Sequence, residues 1–156
     1  MKDSGIAMLE SMGARIYDNV IDTTRFGIRQ SLGSANNMVY DNSFNNVSTY
    51  GLYTYQGSDP PTRGVSNGRP KNITYNNNRV TDTPIGVKFK DSDTQTATNN
   101  LFTGTTEFEF FDAQDTFWSG NTVPRGTCVD IITSDDGMPV PVSTFTTSNG
   151  LPSLEC

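Results

Sequence analysis

Arg29, Tyr53, Lys88 and Glu109 each follow an apolar residue at a recurring mark in the chain. The mark is Gly27-Ile28, Gly51-Leu52 and Gly86-Val87, with Phe108 taking the fourth place and Gly5-Ile6 opening the series. With Ile28, Leu52, Val87 and Phe108 turned inward, the next residue of each strand turns outward. Ala7 then stands one repeat before Arg29, and Tyr55 and Lys90 follow two residues on, on the same face. A guanidinium and an ammonium suit carboxylates, and a phenol suits a sugar ring or a proton transfer. Such a row can track a polymer. A solvated sheet face of mixed charge is the competing reading.

The elements that would hold this row are legible as a repeat. Asn19, Asn42, Asn78, Asn100 and Asn121 each precede an x-apolar pair, at spacings of 23, 36, 22 and 21 residues. The long spacing contains QGSDPPTRGVSNGRP, residues 56–70, and an excess of about 14 residues there restores the common period. GLYTY and GVKFK alternate as strands do, and the apolar spacing of two excludes helical repeats. The expectation is an all-β, right-handed parallel β-helix of roughly five coils, about 22 residues each, with ~4.8 Å of rise per coil. The Asn are expected at tight turns in left-handed backbone, their amides bonded from coil to coil. Residues 1–123 form the coils, with 56–70 as an inserted loop. Residues 124–156 lose the pattern and read as an irregular cap over the last rung.

Composition agrees. Apolar residues are 33%, Gly and Pro number 14 and 8, and net charge is −6. Nine Phe, six Tyr and one Trp argue for a folded β protein over a disordered polar chain. No run of ~18 apolar residues marks a transmembrane helix. The chain has no His, which removes His-based zinc sites and triads. No basic domain suggests nucleic acid. Cys128 and Cys156 allow either one disulfide or two thiols. Asp91-Ser92-Asp93 and Asp135-Asp136-Gly137 offer oxygen ligands for calcium but lack a full calcium-loop pattern. Asn46-Val47-Ser48 and Asn72-Ile73-Thr74 match the glycosylation acceptor pattern, which suits a secreted chain. The insertion carries Arg63 and Arg69, followed by Lys71, and reads as a basic flap beside the row.

The segments SGIAMLES, DNVIDTTRFGIRQSLGSANNMVYDNSF, YGLYTYQGSDPP, GVKFKDSDT and SGNTV resemble the C-terminal coils of the mannuronan C5-epimerases of brown algae, over residues 4 to about 123. The resemblance implies a pectin-lyase-like β-helix acting on alginate. That reaction removes the C5 proton of a mannuronate and returns one on the opposite face, so it needs a neutralised carboxylate, a base and an acid. Enzymes of this type carry an Asp-Pro-His motif on earlier coils, whereas this chain has Asp59-Pro60-Pro61, inside the insertion. No catalytic residue is therefore assigned here, and the catalytic core is expected upstream. The chain is expected to supply substrate subsites: Arg29, Lys88, Lys90 and Arg69 for uronate carboxylates, Tyr53 and Tyr55 for sugar rings. A monomeric, secreted, cell-wall protein without a cofactor is expected. A polysaccharide lyase fragment and a non-catalytic glycan-binding module are the alternatives.

Overall fold

The computed structural model describes residues 2–132 and 145–156. Its described elements are all strands. The first coil holds β1 (Lys2–Leu9), β2 (Arg15–Tyr17) and β3 (Val20–Asp22). The second holds β4 (Thr24–Ser31), β5 (Met38–Tyr40) and β6 (Ser43–Asn45). The third holds β7 (Tyr50–Thr54), β8 (Thr74–Asn76) and β9 (Arg79–Thr81), and the fourth β10 (Ile85–Asp93), β11 (Thr96–Thr98) and β12 (Leu101–Thr103). The fifth holds β13 (Glu107–Gln114) and β14 (Thr116–Ser119), and the sixth β15 (Cys128–Ile132) and β16 (Phe145–Ser148). Equivalent strands pair in parallel into three sheets, β1-β4-β7-β10-β13-β15, β2-β5-β8-β11-β14-β16 and β3-β6-β9-β12. The expected solenoid is thus present, with a sixth coil. Residues 124–156 do more than cap, because β15 extends the first sheet and β16 the second.

The asparagine column is the spine. The Oδ1 of Asn42 accepts from the backbone N–H and the Nδ2 of Asn19, and Asn78, Asn100 and Asn121 repeat this one coil further each time. Each Nδ2 from Asn42 onward also donates to a backbone carbonyl of the preceding coil, at Ile16, Val39, Tyr75 and Ala97. The left-handed residue is not the ladder Asn, as the sequence suggested, but the one before it: Asp18, Asp41, Asn77, Asn99 and Gly120, with φ between 54° and 67°. The division has a physical cause. The corner needs a residue that tolerates αL, as Gly, Asn and Asp do better than others, and the next residue must turn its amide inward to feed the ladder.

The glycine mark has a steric cause, since none of Gly5, Gly27, Gly51 and Gly86 has positive φ. A Cβ on Gly27 would lie 2.9 Å from the Phe44 ring, one on Gly51 2.8 Å from Val80, and one on Gly86 2.9 Å from Phe102. A Cβ on Gly27 or Gly51 would also stand 2.6 or 2.7 Å from the carbonyl oxygen of the next coil's glycine, so the glycines make room both for the stacked backbone and for side chains across the coil. Trp118, Tyr75, Phe44, Phe89, Phe102, Phe108 and Phe110 are fully buried and fill the coil. Each contributes about 1.5–3 kcal/mol through burial.

The insertion is clipped down along the coils rather than standing as a basic flap. The Glu10 carboxylate, in the first coil, accepts from the Thr62 N–H and hydroxyl and from the Arg63 N–H. Gly33, in the second coil, exchanges backbone bonds with Val65 and Gly68. At the other end Arg69 donates to Asp93 of the fourth coil and Asp112 of the fifth, at 2.9 and 2.8 Å. One loop from the third coil therefore ties five coils together.

Candidate functional site

The row drawn from the sequence is present as a parallel ladder. Ala7, Arg29, Tyr53, Lys88, Glu109 and Asp130 are successive register partners across the first sheet. Tyr55 stacks on Tyr53 with centroids 4.4 Å apart and planes 11° from parallel. Lys90 lies over the Phe111 ring at 5.0 Å and lines a hollow of about 340 Å³ with Tyr53, Tyr55, Gln56 and Asp91.

The sequence reading missed half of this face. Phe26 is only 7% exposed, yet its ring packs on Tyr50 and Tyr53 rather than in the core. Tyr50 and Tyr53 approach to 4.7 Å, and Arg25 sits over Phe26 at 4.8 Å. The strict alternation used to choose outward residues breaks at the glycine mark. Gly27 and Ile28 both turn toward the core, so the residue before the glycine joins the outer face with the residue after Ile28. The signal was in the sequence: a Gly-apolar pair in an otherwise alternating strand.

Charge on the face is largely self-balanced. Arg29 pairs with Asp3 at 3.1 Å, while its Nε–H has no acceptor among the described residues. Lys88 pairs closely with Glu109 and also donates to the Tyr50 hydroxyl at 3.3 Å. Burial alone would lower the Lys88 ammonium, but the Glu109 carboxylate and Tyr50 outweigh it and raise it. Burial, then the neighbouring Tyr55, pushes the Tyr53 phenol up to about 12, against the opposing charge of Lys88. The acidic end lies beyond. Partial burial, then Glu109 and Asp130, raises the Glu107 carboxyl above its ordinary value. The face thus runs from cations and aromatic rings on the second to fourth coils to carboxylates on the fifth and sixth.

Other candidate residues fall elsewhere. Arg69, with 18% of its side chain exposed, spends its guanidinium on Asp93 and Asp112 away from the ladder, so it is not free for a substrate carboxylate. Asp93 is thereby taken by Arg69 in one calcium candidate, and Asp135-Asp136-Gly137 lies outside the described residues. Cys128 and Cys156 form a disulfide. Glu107 approaches both sulfurs, but oxidised sulfurs offer no thiolate to a metal. Asn46 and Asn72 are exposed at left-handed corners, and their side-chain amides donate to Asp22 and Asn36.

A family model described as "Right handed beta helix region" matches residues 1–123. Neither the curated proteins nor the solved structures give a match to the chain. A fold of this pectin-lyase-like kind is compatible with a polysaccharide-related or carbohydrate-binding module. The three parallel sheets, the asparagine spine and the matched span lead to one conclusion: the chain belongs to the right-handed β-helix family.

Proposed function

We propose that the outer face of the first sheet binds a polyuronate chain such as alginate, and that the chain is part of a mannuronan C5-epimerase. The supporting observation is the ladder Arg29–Tyr53–Lys88 on adjacent coils, flanked by Phe26, Tyr50 and Tyr55. Successive rungs stand ~4.8 Å apart, so neighbouring side chains meet neighbouring parts of an extended glycan. Sugar rings lie on the tyrosines, and their carboxylates meet Arg29, Lys88 and Lys90.

The face favours binding over chemistry. A phenol near 12 and an ammonium raised by Glu109 both hold their protons at neutral pH, so neither is poised as a base. Within the parent enzyme this segment supplies subsites and leaves the proton transfer to other coils. The same observation supports a non-catalytic glycan-binding module as the second reading. The disulfide suits an oxidising, extracellular setting.

Affinity electrophoresis in alginate gels tests the binding. The chain is expected to be retarded, less so in added salt, and less so as Arg29→Ala or Lys88→Ala; mobility equal to that in a plain gel overturns it. Proton NMR of polymannuronate incubated with the chain separates the two readings. No guluronate signal is expected from this chain alone, and a new guluronate signal would make it catalytic by itself.

A further inference from the structure

The second sheet presents a different surface. Its strands β2, β5, β8, β11 and β14 carry one charged residue, Arg15, whereas the first sheet carries charges along most of its strands. Tyr17, Tyr40, Asn76, Thr98 and Ser119 are successive register partners. They project outward, because Ile16, Val39, Tyr75, Ala97 and Trp118 between them are in the core. Tyr17 is 51% exposed and stacks on Tyr40 with centroids 5.0 Å apart and planes 9° from parallel. Neither phenol hydroxyl bonds to a described residue. The Asn76 Oδ1 accepts from Thr98 at 2.9 Å and from Asn99 at 3.5 Å, and its amide N–H groups have no partner among the described residues.

We infer that this row is a second glycan surface, and that its ligand is a neutral polysaccharide. The two rings cover one face of each other, and the remaining exposed ring surface, chiefly that of Tyr17, is offered to the C–H side of a pyranose. Asn76, Thr98 and Ser119 offer an amide and hydroxyls to sugar hydroxyls, the groups that discriminate among polyols. The row itself is uncharged and the face carries Arg15 as its one strand cation, against the several cations of the first sheet, so it favours a ligand of lower charge. The two faces belong to different sheets of one coil, and only together with the polyuronate reading would the protein join a neutral chain to an acidic one. This surface stands independently of the polyuronate reading.

The test is affinity electrophoresis of the full chain in gels containing hydroxyethylcellulose or glucomannan, beside alginate gels. Retardation in a neutral-glycan gel, unaffected by salt, is expected. Tyr17→Ala and Tyr40→Ala each weaken it about tenfold while keeping retardation in alginate. Circular dichroism confirms that both variants are folded. Wild-type mobility equal to that in plain gels overturns the inference, as does retardation that both tyrosine variants retain, which would make the pair a structural stack only. Loss of alginate binding with neutral-glycan binding kept would remove the first reading and leave this one.

Discussion

Asn42 and Asn78 are 36 residues apart in sequence, yet the Nδ2 of Asn42 donates to the Oδ1 of Asn78 at 3.0 Å. The insertion is looped out without disturbing the spine. Asn78→Ala removes the acceptor for the Asn42 N–H and amide and the donor to the Val39 carbonyl, all buried. A loss of about 3 kcal/mol in unfolding free energy is expected, measured by urea denaturation. A loss below about 1 kcal/mol would mean that the ladder follows the coil rather than holding it.

Arg69 should bind the solenoid along its axis. A repeat array normally couples only neighbouring coils, whereas Arg69 joins the insertion to Asp93 and Asp112. Arg69→Met leaves two aspartates unpaired in a half-buried site and is expected to cost about 2 kcal/mol. Adding Asp112→Asn should recover part of that loss in a double-mutant cycle. Strict additivity would show that the pair is not coupled.

Glu10 sets a pH limit on the loop. The Thr62 N–H and hydroxyl, followed by Arg63, hold its carboxyl below the ordinary value. A depressed carboxyl contributes stability above its unfolded pKa and loses it as pH falls through the folded one. The protection of the Val65 and Gly68 amides, measured against their intrinsic exchange rates, should therefore fall as the solution is acidified below the ordinary carboxyl range. Glu10→Gln should show the reduced protection already at neutral pH.

Glu109 competes with any substrate carboxylate for Lys88. Glu109→Gln is expected to tighten alginate binding by roughly fivefold, since it frees one cation and removes one repulsive charge. Isothermal titration with oligouronates measures it; weaker or unchanged binding would take Lys88 out of the binding face.

Tyr53 should remain a phenol well past the ordinary tyrosine range. Its folded value of about 12 exceeds the ordinary 10.0 of a tyrosine, so stability falls as pH rises between the two. Spectrophotometric titration should find one late-ionising phenol that is absent in Tyr53→Phe, on top of the internal Tyr75, which burial also raises.

Much of the coil was legible because a solenoid stacks equivalent positions one rung apart. The asparagine column, the inward Ile28, Leu52 and Val87, and the outward Arg29, Tyr53 and Lys88 all recur at the same offset for that reason. The left-handed corner was displaced by one residue, since Asp18 and Asn19 are equally able to occupy αL and only the coil shows which amide must point inward.

By itself the sequence determined the β-helix, its period and the looped-out insertion, because each repeat must satisfy the same register and carries the same residue types to do so. The Gly-apolar pairs signalled a break in alternation, but only the tertiary structure showed that Phe26 and Tyr50 come to lie together on the outer face of the first sheet, where the coils bring the glycines against the next coil's carbonyls and the side chains Phe44 and Val80. It also decided that Arg69 faces two aspartates instead of solvent and that Lys88 already holds Glu109. Those pairings depend on where a non-repeating loop and the acidic end of the coil come to rest. No period in the chain encodes that.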